Sequence, residues 1–321
     1  MRFLVHAASL LLTLAALGPA AATAQAYPSR TIKFITVATP SSTDSLSRVI
    51  AVRLAEKMGQ PVITDNRPGA GGNIAVVAAA RSQPDGYSFL ISPNALTIAP
   101  WTMKNVGYDP IKDLTPVARL AVAQMALVSS TTMPVKTFAE FVALARAQPG
   151  KWDYATPGIG TPQHMVMEEI KKQMSFHMTH IPYPQSGKAV LDLVEGRIAG
   201  GVFALTQVVP FAQSGKLRIL AVIDAKRSSI FPEAPPIQEL GVKGVESPWI
   251  GMFAPAGTPP AIVGRMNKEV NAILESPEIR QQMLGQGILI STGSVEEFDR
   301  QVKSDYERWH QLAARIGIKP Q

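Results

Sequence analysis

Short apolar runs alternate with longer runs of helical period from Ile32 to the end of the chain, and this alternation limits the fold more than any other feature. IKFITV (Ile32 to Val37) reads as a strand and is followed by a helical run expected over Ser45 to Met58. PVITDN reads as a second strand, RPGAGG as a glycine turn, NIAVVAAARS as a small-residue helix and PDGYSFLIS as a turn plus strand. The middle third repeats the plan. TFAEFVALARAQPG is an amphipathic helix stopped by Pro149 and Gly150, WDYATP is a strand, and helices are expected over Gln163 to Met174 and Lys188 to Glu195. IAGGVFAL and KLRILAV follow as strands, and helices over Pro260 to Leu274 and Val295 to Leu312 close the chain. Such order predicts an α/β fold with buried parallel strands under covering helices. The extended stretch VARLAVAQMALVSS and the later WIGMFAPAGTP predict two passages between two lobes, near residues 120–127 and 245–250, with a cleft between them. Expected bounds are 1–26 for a leader, 27–122 and 248–321 for the first lobe, and 123–247 for the second.

The leader is read from MRFLVHAASLLLTLAALGPAAATAQA: a basic start, an apolar centre broken by Gly18 and Pro19, and a small-x-small end at Ala24-Gln25-Ala26. The apolar centre is shorter than the roughly 20 residues a spanning helix needs. Cleavage after Ala26 and export to a bacterial periplasm are therefore expected. An exported chain with no Cys has no disulfides, so its stability rests on packing. The formal charge of +7 becomes +6 once Arg2 leaves with the leader, and the basic residues are scattered over helix faces. That distribution argues against a nucleic-acid partner.

The turns after the strands carry the chemistry. ATPSSTDSLSR crowds Thr39, Ser41, Ser42, Thr43 and Asp44 into one strand-to-helix connection. Such residues cap a helix, and the same turn aims bare N–H groups and the positive end of the helix dipole beyond the strand, where an anion would be held. TPGIGTPQH is a second turn of this kind: Gly158 and Gly160 free the backbone, Thr161 caps, and Pro162 suits the first helical position. His164 follows just inside that helix, either lining the cleft or packing against the helix. RPGAGGNIA lacks both the GxxxxGK[ST] and the GxGxxG spacing, so a tight turn with Asn73 as cap is expected, with ligand contact the alternative. His177 and His180 fall on or beside a strand without sharing a face, so neither a metal nor a cofactor is expected. No GxSxG elbow or HExxH is present, and convergence of Ser41, His164 and Asp44 into a hydrolase site is a minor alternative.

In order along the chain, YPSRTIKFITVATP, GQPVITDNRPGAGGNIA, PDGYSFLIS, GYDPIKDLTPVARL, YATPGIGTPQH, HIPYPQSG, GKLRILAV and FAPAGTP resemble the tripartite tricarboxylate transporter receptor family, the Bug periplasmic solute-binding proteins. The resemblance implies a two-lobed periplasmic binding protein of the type II, Venus-flytrap kind. It also implies a monomer that closes on a small carboxylate and delivers it to a membrane permease of two subunits. It places ligand contacts on Pro40, Ser41, Ser42, Thr43 and Asp44, on Ser92 and Asn94 with Pro93 between them, on Thr156, Gly158, Gly160, Thr161 and His164, and on Tyr183. Ala204 stands where an Asp is frequent in the family, and Pro184-Gln185-Ser186-Gly187 lacks a common basic residue. Without an acidic counter-charge, an amine-free carboxylate, aliphatic or aromatic, is the expected ligand. Presentation of ligand to a signalling partner is the alternative role.

Overall fold

A computed structural model describes residues 27–37, 41–317 and 320; the leader and Pro40 lie outside the described residues. Eleven named strands form two sheets among the described residues. The first sheet contains β1 (Ile32–Thr36), β2 (Val62–Asn66), β3 (Ser88–Pro93), β4 (Leu114–Ala123), β10 (Trp249–Pro255) and β11 (Ile288–Ile290), in the order β11-β4-β10-β3-β1-β2. The second contains β5 (Met125–Ser130), β6 (Asp153–Thr156), β7 (Thr179–Pro182), β8 (Gly200–Ala204) and β9 (Leu217–Val222), in the order β7-β6-β8-β5-β9.

The expectation of parallel strands holds only in part. β1, β2 and β3 run parallel, as do β6, β7 and β8, whereas β10 is antiparallel to β3 and β4, and β5 to β8 and β9. β5 and β10 take up the chain after the two crossings, and β11 is antiparallel to β4. β4 leaves the first sheet at Ala123 and β5 enters the second at Met125, with Gln124 alone between them. A strand that enters its sheet from the junction must run against the strands that end there.

Alternation along each strand explains why both sheet faces are buried. In β1 and β3, Phe34, Phe89 and Ile91 pack on one face with Leu46 and Ile50, while Ile35 and Leu90 pack on the other with Ala75 and Trp249. Leu46 and Ile50 belong to α1 (Ser42–Met58), and Ala75 to α2 (Asn73–Ala80). Sheets covered on both sides give the near-continuous apolar runs seen in the sequence. The second sheet repeats this, with Leu127, Tyr154 and Val202 on one face and Val128, Ala155 and Phe203 on the other.

Several elements depart from the expected bounds. α1 begins at Ser42, three residues before the expected Ser45, because Ser41 caps it by accepting from the Asp44 N–H at 3.1 Å. Gly72, not Asn73, occupies the cap of α2; the Asn73 amide instead donates to the Val106 carbonyl at 2.7 Å. Helix α3 (Ala95–Thr102), which carries Pro100, was absent from the expected elements. Helices α4 (Phe138–Ala147), α5 (Pro162–Gln173), α6 (Ser186–Val194) and α7 (Leu205–Gln213) serve the second sheet. Helices α8 (Pro260–Leu274), α9 (Pro277–Leu284) and α10 (Val295–Ile316) close the chain, α9 and β11 being further unforeseen elements.

Helix α10 is shared. Its Trp309, Leu312 and Ala313 bury against Ile98 of α3 and Met165 of α5, and Arg315 reaches the buried Glu169 at 2.7 Å. The last helix thus ties the second lobe to the first beside the two crossings.

Candidate functional site

Strand direction gathers the expected contact residues at one junction. Pro93, at the carboxyl end of β3, pairs with Ile250, next to the residue that opens β10; Ala204, at the carboxyl end of β8, pairs with Met125, which opens β5. Both ends therefore lie at the junction where the chain changes sheets, and the Ala123 N–H to Pro248 carbonyl bond of 2.9 Å holds the two crossings together there. β1 is parallel to β3, and β6 to β8, so their carboxyl ends, Thr36 and Thr156, point the same way. Ligands of α/β sheets bind in such crevices, outside the carboxyl ends of strands. Of the residues expected to contact ligand, those described lie on these ends, on the connections leaving them or in the first turn of the helix that follows.

On the first lobe, the α1 start is already braced. Asp44 is 7 % exposed; its carboxylate accepts from Arg48 Nε at 3.1 Å and from Asn66 Nδ2 at 2.7 Å. The same Asn66 amide also donates to Thr36 Oγ1 at 2.7 Å, and Arg48 Nη2 donates to Asn66 Oδ1 at 3.1 Å. Asp44 therefore fastens the ends of β1 and β2 to α1 and has its charge answered by Arg48. Thr43 is buried beside it, and Ser42 is half-buried. The start of α3 contrasts with this. Its cap, Asn94, makes no side-chain capping bond, is 1 % exposed, and keeps Oδ1 buried with no partner among the described residues. The Asn94 N–H is held by the Trp249 carbonyl at 3.0 Å, while Ser92 Oγ turns back to the Pro93 carbonyl at 3.0 Å.

On the second lobe, Thr161 caps α5 by accepting from the His164 N–H at 3.3 Å, with Pro162 at the first helical position, as expected. The expected donors Gly158 and Gly160, however, turn their N–H groups inward, the first to Thr156 Oγ1 at 3.3 Å and the second to His164 Nδ1 at 3.1 Å. The Ile159 N–H makes no hydrogen bond among the described residues, while Thr161 closes the turn onto Gly158. His164 is 6 % exposed, and its ring stacks within the second lobe. Tyr183 lies over the second-lobe core and gives its hydroxyl to Asp192 at 2.8 Å. Ala204 is the cap of α7 and offers no side-chain bond. The Leu205 N–H is taken by the Gln124 carbonyl at 2.8 Å.

His180 escaped the sequence reading as part of this turn. Its ring stacks on His164 with centroids 4.1 Å apart and on Tyr154 at 4.9 Å, and Nε2 lies 2.7 Å from Thr156 Oγ1. Burial drives the His180 pKa down to about 4, with the neighbouring His164 adding to it, and burial lowers that of His164 as well. Glu168 sits behind them, bonded to the Tyr154 hydroxyl and, at 2.5 Å, to Lys171. Burial opposes its charge, but those bonds outweigh burial and hold its carboxyl below the usual range. The only advance signal was the spacing of His164 and His180 on two neighbouring elements of one lobe.

Arg48 and Asn66 hold Asp44, and Gly160 occupies His164 Nδ1. These are structural ties, and they do not set a serine against its base. The lobes meet where a Cβ on Gly160 would stand 2.7 Å from Thr102 Oγ1, at the far end of α3.

Residues 46–318 match the family described as tripartite tricarboxylate transporter family receptor. BugT of Bordetella pertussis is 32 % identical over 300 residues, covering 92 % of each chain. An R. palustris protein solved with adipate is 33 % identical with a TM-score of 0.83, covering 92 % of this chain and 100 % of its own. MatC from Rhodopseudomonas palustris with bound malate is 26 % identical with a TM-score of 0.77, covering 89 % and 100 %. The two-lobed α/β architecture is that of periplasmic solute-binding proteins.

Proposed function

The chain belongs to the tripartite tricarboxylate transporter receptor family, and from that premise we propose that it captures an amine-free mono- or dicarboxylate between its lobes and delivers it to a membrane permease without altering it. The observation that carries the ligand class is electrostatic. Among the described residues expected to contact ligand, the one carboxylate, Asp44, is answered by Arg48 and Asn66, and Ala204 supplies none at the start of α7. A ligand ammonium would meet no counter-charge there and would lose its hydration without return. A carboxylate finds the starts of α3 and α7, neither closed by a side-chain cap, and the Ile159 N–H, which no described residue engages. Charge-assisted bonds of this kind contribute about 1.5–3 kcal/mol each.

Capture follows from geometry. A ligand that touches both lobes favours the closed form by as much as its contacts differ between open and closed. The hinge has a defined seat: Gln124 accepts from Ser228 Oγ at 2.6 Å and donates to Asp224 at 3.3 Å, so the single residue between β4 and β5 is held from the second lobe. Export and removal of the leader after Ala26 complete the proposal.

The test is a thermal-shift screen of the mature chain against aliphatic dicarboxylates, aromatic carboxylates and amino acids, with calorimetry on the best compound. Saturable stabilisation by one amine-free class with no turnover is expected. Tighter binding of aspartate or glutamate than of any amine-free acid would overturn the ligand class.

A further inference from the structure

We infer that His180, and His164 through it, are positioning residues for ligand capture: the stacked, uncharged pair holds the Thr156–Thr161 turn in the form that leaves the Ile159 N–H without a partner among the described residues. The inference rests on the receptor reading for what the turn holds, and on geometry for what holds the turn.

The turn cannot order itself. Gly158 at φ +139° and Gly160 at φ +75° occupy backbone regions that only glycine visits freely, and glycine loses the most chain entropy when fixed. Ile159, at its tip, is 47 % exposed, so no apolar anchor replaces that loss. Order comes from hydrogen bonds. Local bonds join Thr161 Oγ1 to the Gly158 carbonyl at 2.8 Å and the Gly158 N–H to Thr156 Oγ1 at 3.3 Å, while two further anchors run into the imidazoles: Gly160 N–H to His164 Nδ1, and Thr156 Oγ1 with His180 Nε2.

The bond at His164 requires a neutral ring. His164 Nδ1 accepts, so its proton sits on Nε2, which faces the Glu168 carboxylate at 4.0 Å. A second proton on Nδ1 would set one donor against the Gly160 N–H, and the turn would have to move. Two stacked imidazoles also resist charging together. The groups acting on the rings are Glu168 and Lys171 from α5, Tyr154 from β6, and each ring on the other. β8 contributes Gly200 and Gly201 beside Tyr154 and Ala155. α3 and α10 meet this lobe through Thr102, Ile98, Trp309 and Leu312, none of which titrates near neutrality, and Arg315 of α10 is engaged by Glu169. Glu168 is the one acid able to favour an imidazolium, and Lys171 already neutralises it.

The decisive experiment compares wild type, His180→Phe and His180→Gln. Phe keeps the stack and loses the bond to Thr156; Gln keeps a bonding group and cannot titrate. Two quantities are read between pH 8 and 4 on the mature protein: amide-exchange protection of Gly158 and Gly160, corrected for intrinsic rates, and the calorimetric Kd for adipate. His180→Phe is expected to lower protection and weaken adipate about tenfold, the worth of one buried hydrogen bond, with the fold retained. Wild type is expected to lose protection and affinity as pH falls toward 4, and His180→Gln to hold near-normal values with a flatter profile. Unchanged protection in His180→Phe overturns the inference, and so does lowered protection with unchanged adipate affinity. Failure of wild type to bind any carboxylate strikes the receptor reading and spares the pair, whose hold on the turn the exchange measurement then confirms or overturns alone.

Discussion

The two lobes present similar strand-to-helix turns to one junction and brace them with opposite chemistry. In the first lobe an ionic knot, Asp44 with Arg48 and Asn66, fastens the start of α1 to the ends of β1 and β2. In the second, uncharged rings do the same work: His164 and His180, stacked against Tyr154, fasten the turn before α5. The difference teaches that an anion site built from backbone N–H groups needs bracing, and that the bracing need not carry charge. A charged brace must be neutralised locally, or its field would act on the ligand. Arg48, one helical turn along at i+4, does that for Asp44.

The sharpest way to break the comparison is steric. Gly160→Ala sets a Cβ 2.7 Å from Thr102 Oγ1 and forces a side chain onto φ +75°. Backbone strain alone is worth about 1–3 kcal/mol, so binding should weaken on the order of ten- to hundredfold. Gly59→Ala is the control, since Gly59 has the same left-handed backbone at φ +67° with open space around it. It should cost stability and leave calorimetric affinity unchanged. Equal loss of affinity in both would mean that the approach of Gly160 to Thr102 plays no part in capture.

Breaking the ionic brace comes next. Asp44→Ala leaves the Asn66 amide and Arg48 without their shared acceptor at a buried position, which costs about 1–3 kcal/mol. Urea unfolding should show that loss, and high salt should narrow the gap to wild type, since Arg48 is 57 % exposed and open to screening. The neutral brace responds to acid instead. His180 titrates near 6.5 when unfolded and about 4 when folded, so the unfolded chain binds more protons between those values. Stability should be full above pH 6.5 and decline as pH falls toward 4. Urea midpoints for wild type and His180→Gln across that window should converge at high pH and separate at low pH.

How much of this was legible in the sequence depends on how far apart the partners stand in the chain. Thr161 and Pro162 were readable as a helix start because cap and first turn are local, and the helix over Pro260–Leu274 was readable because its apolar positions repeat with helical period. Helix α3 was not: Ala95 to Thr102 is apolar on most faces, with buried Leu96, Thr97 and Ile98 in succession and Pro100 within it, so no period shows. The hydroxyl-rich turn was recognised, but its division of labour was not. Arg48 at i+4 from Asp44 is a local relation, whereas Asn66 arrives by pairing of β1 with β2. His180 reaches the second turn only because β7 pairs with β6 and sets His180 opposite Tyr154. Glycine at 158 and 160 announced a strained turn without saying which N–H groups it would spend on itself.

The mildest change sharpens the comparison most selectively. Ala204→Asp would give α7 the side-chain cap it lacks, at a residue whose backbone (φ −61°, ψ 137°) already suits a cap. An Asp cap is worth roughly 0.5–2 kcal/mol, so thermal unfolding should move upward. The same carboxylate would close a helix start at the junction and oppose an incoming anion. Affinity for an amine-free acid should therefore fall several-fold while stability rises, and aspartate, whose ammonium gains a partner, should bind better than it does to wild type. If stability rises with no change in ligand preference, the start of α7 lies outside the ligand's reach, and the second lobe's share of the site contracts to the turn that the histidines hold.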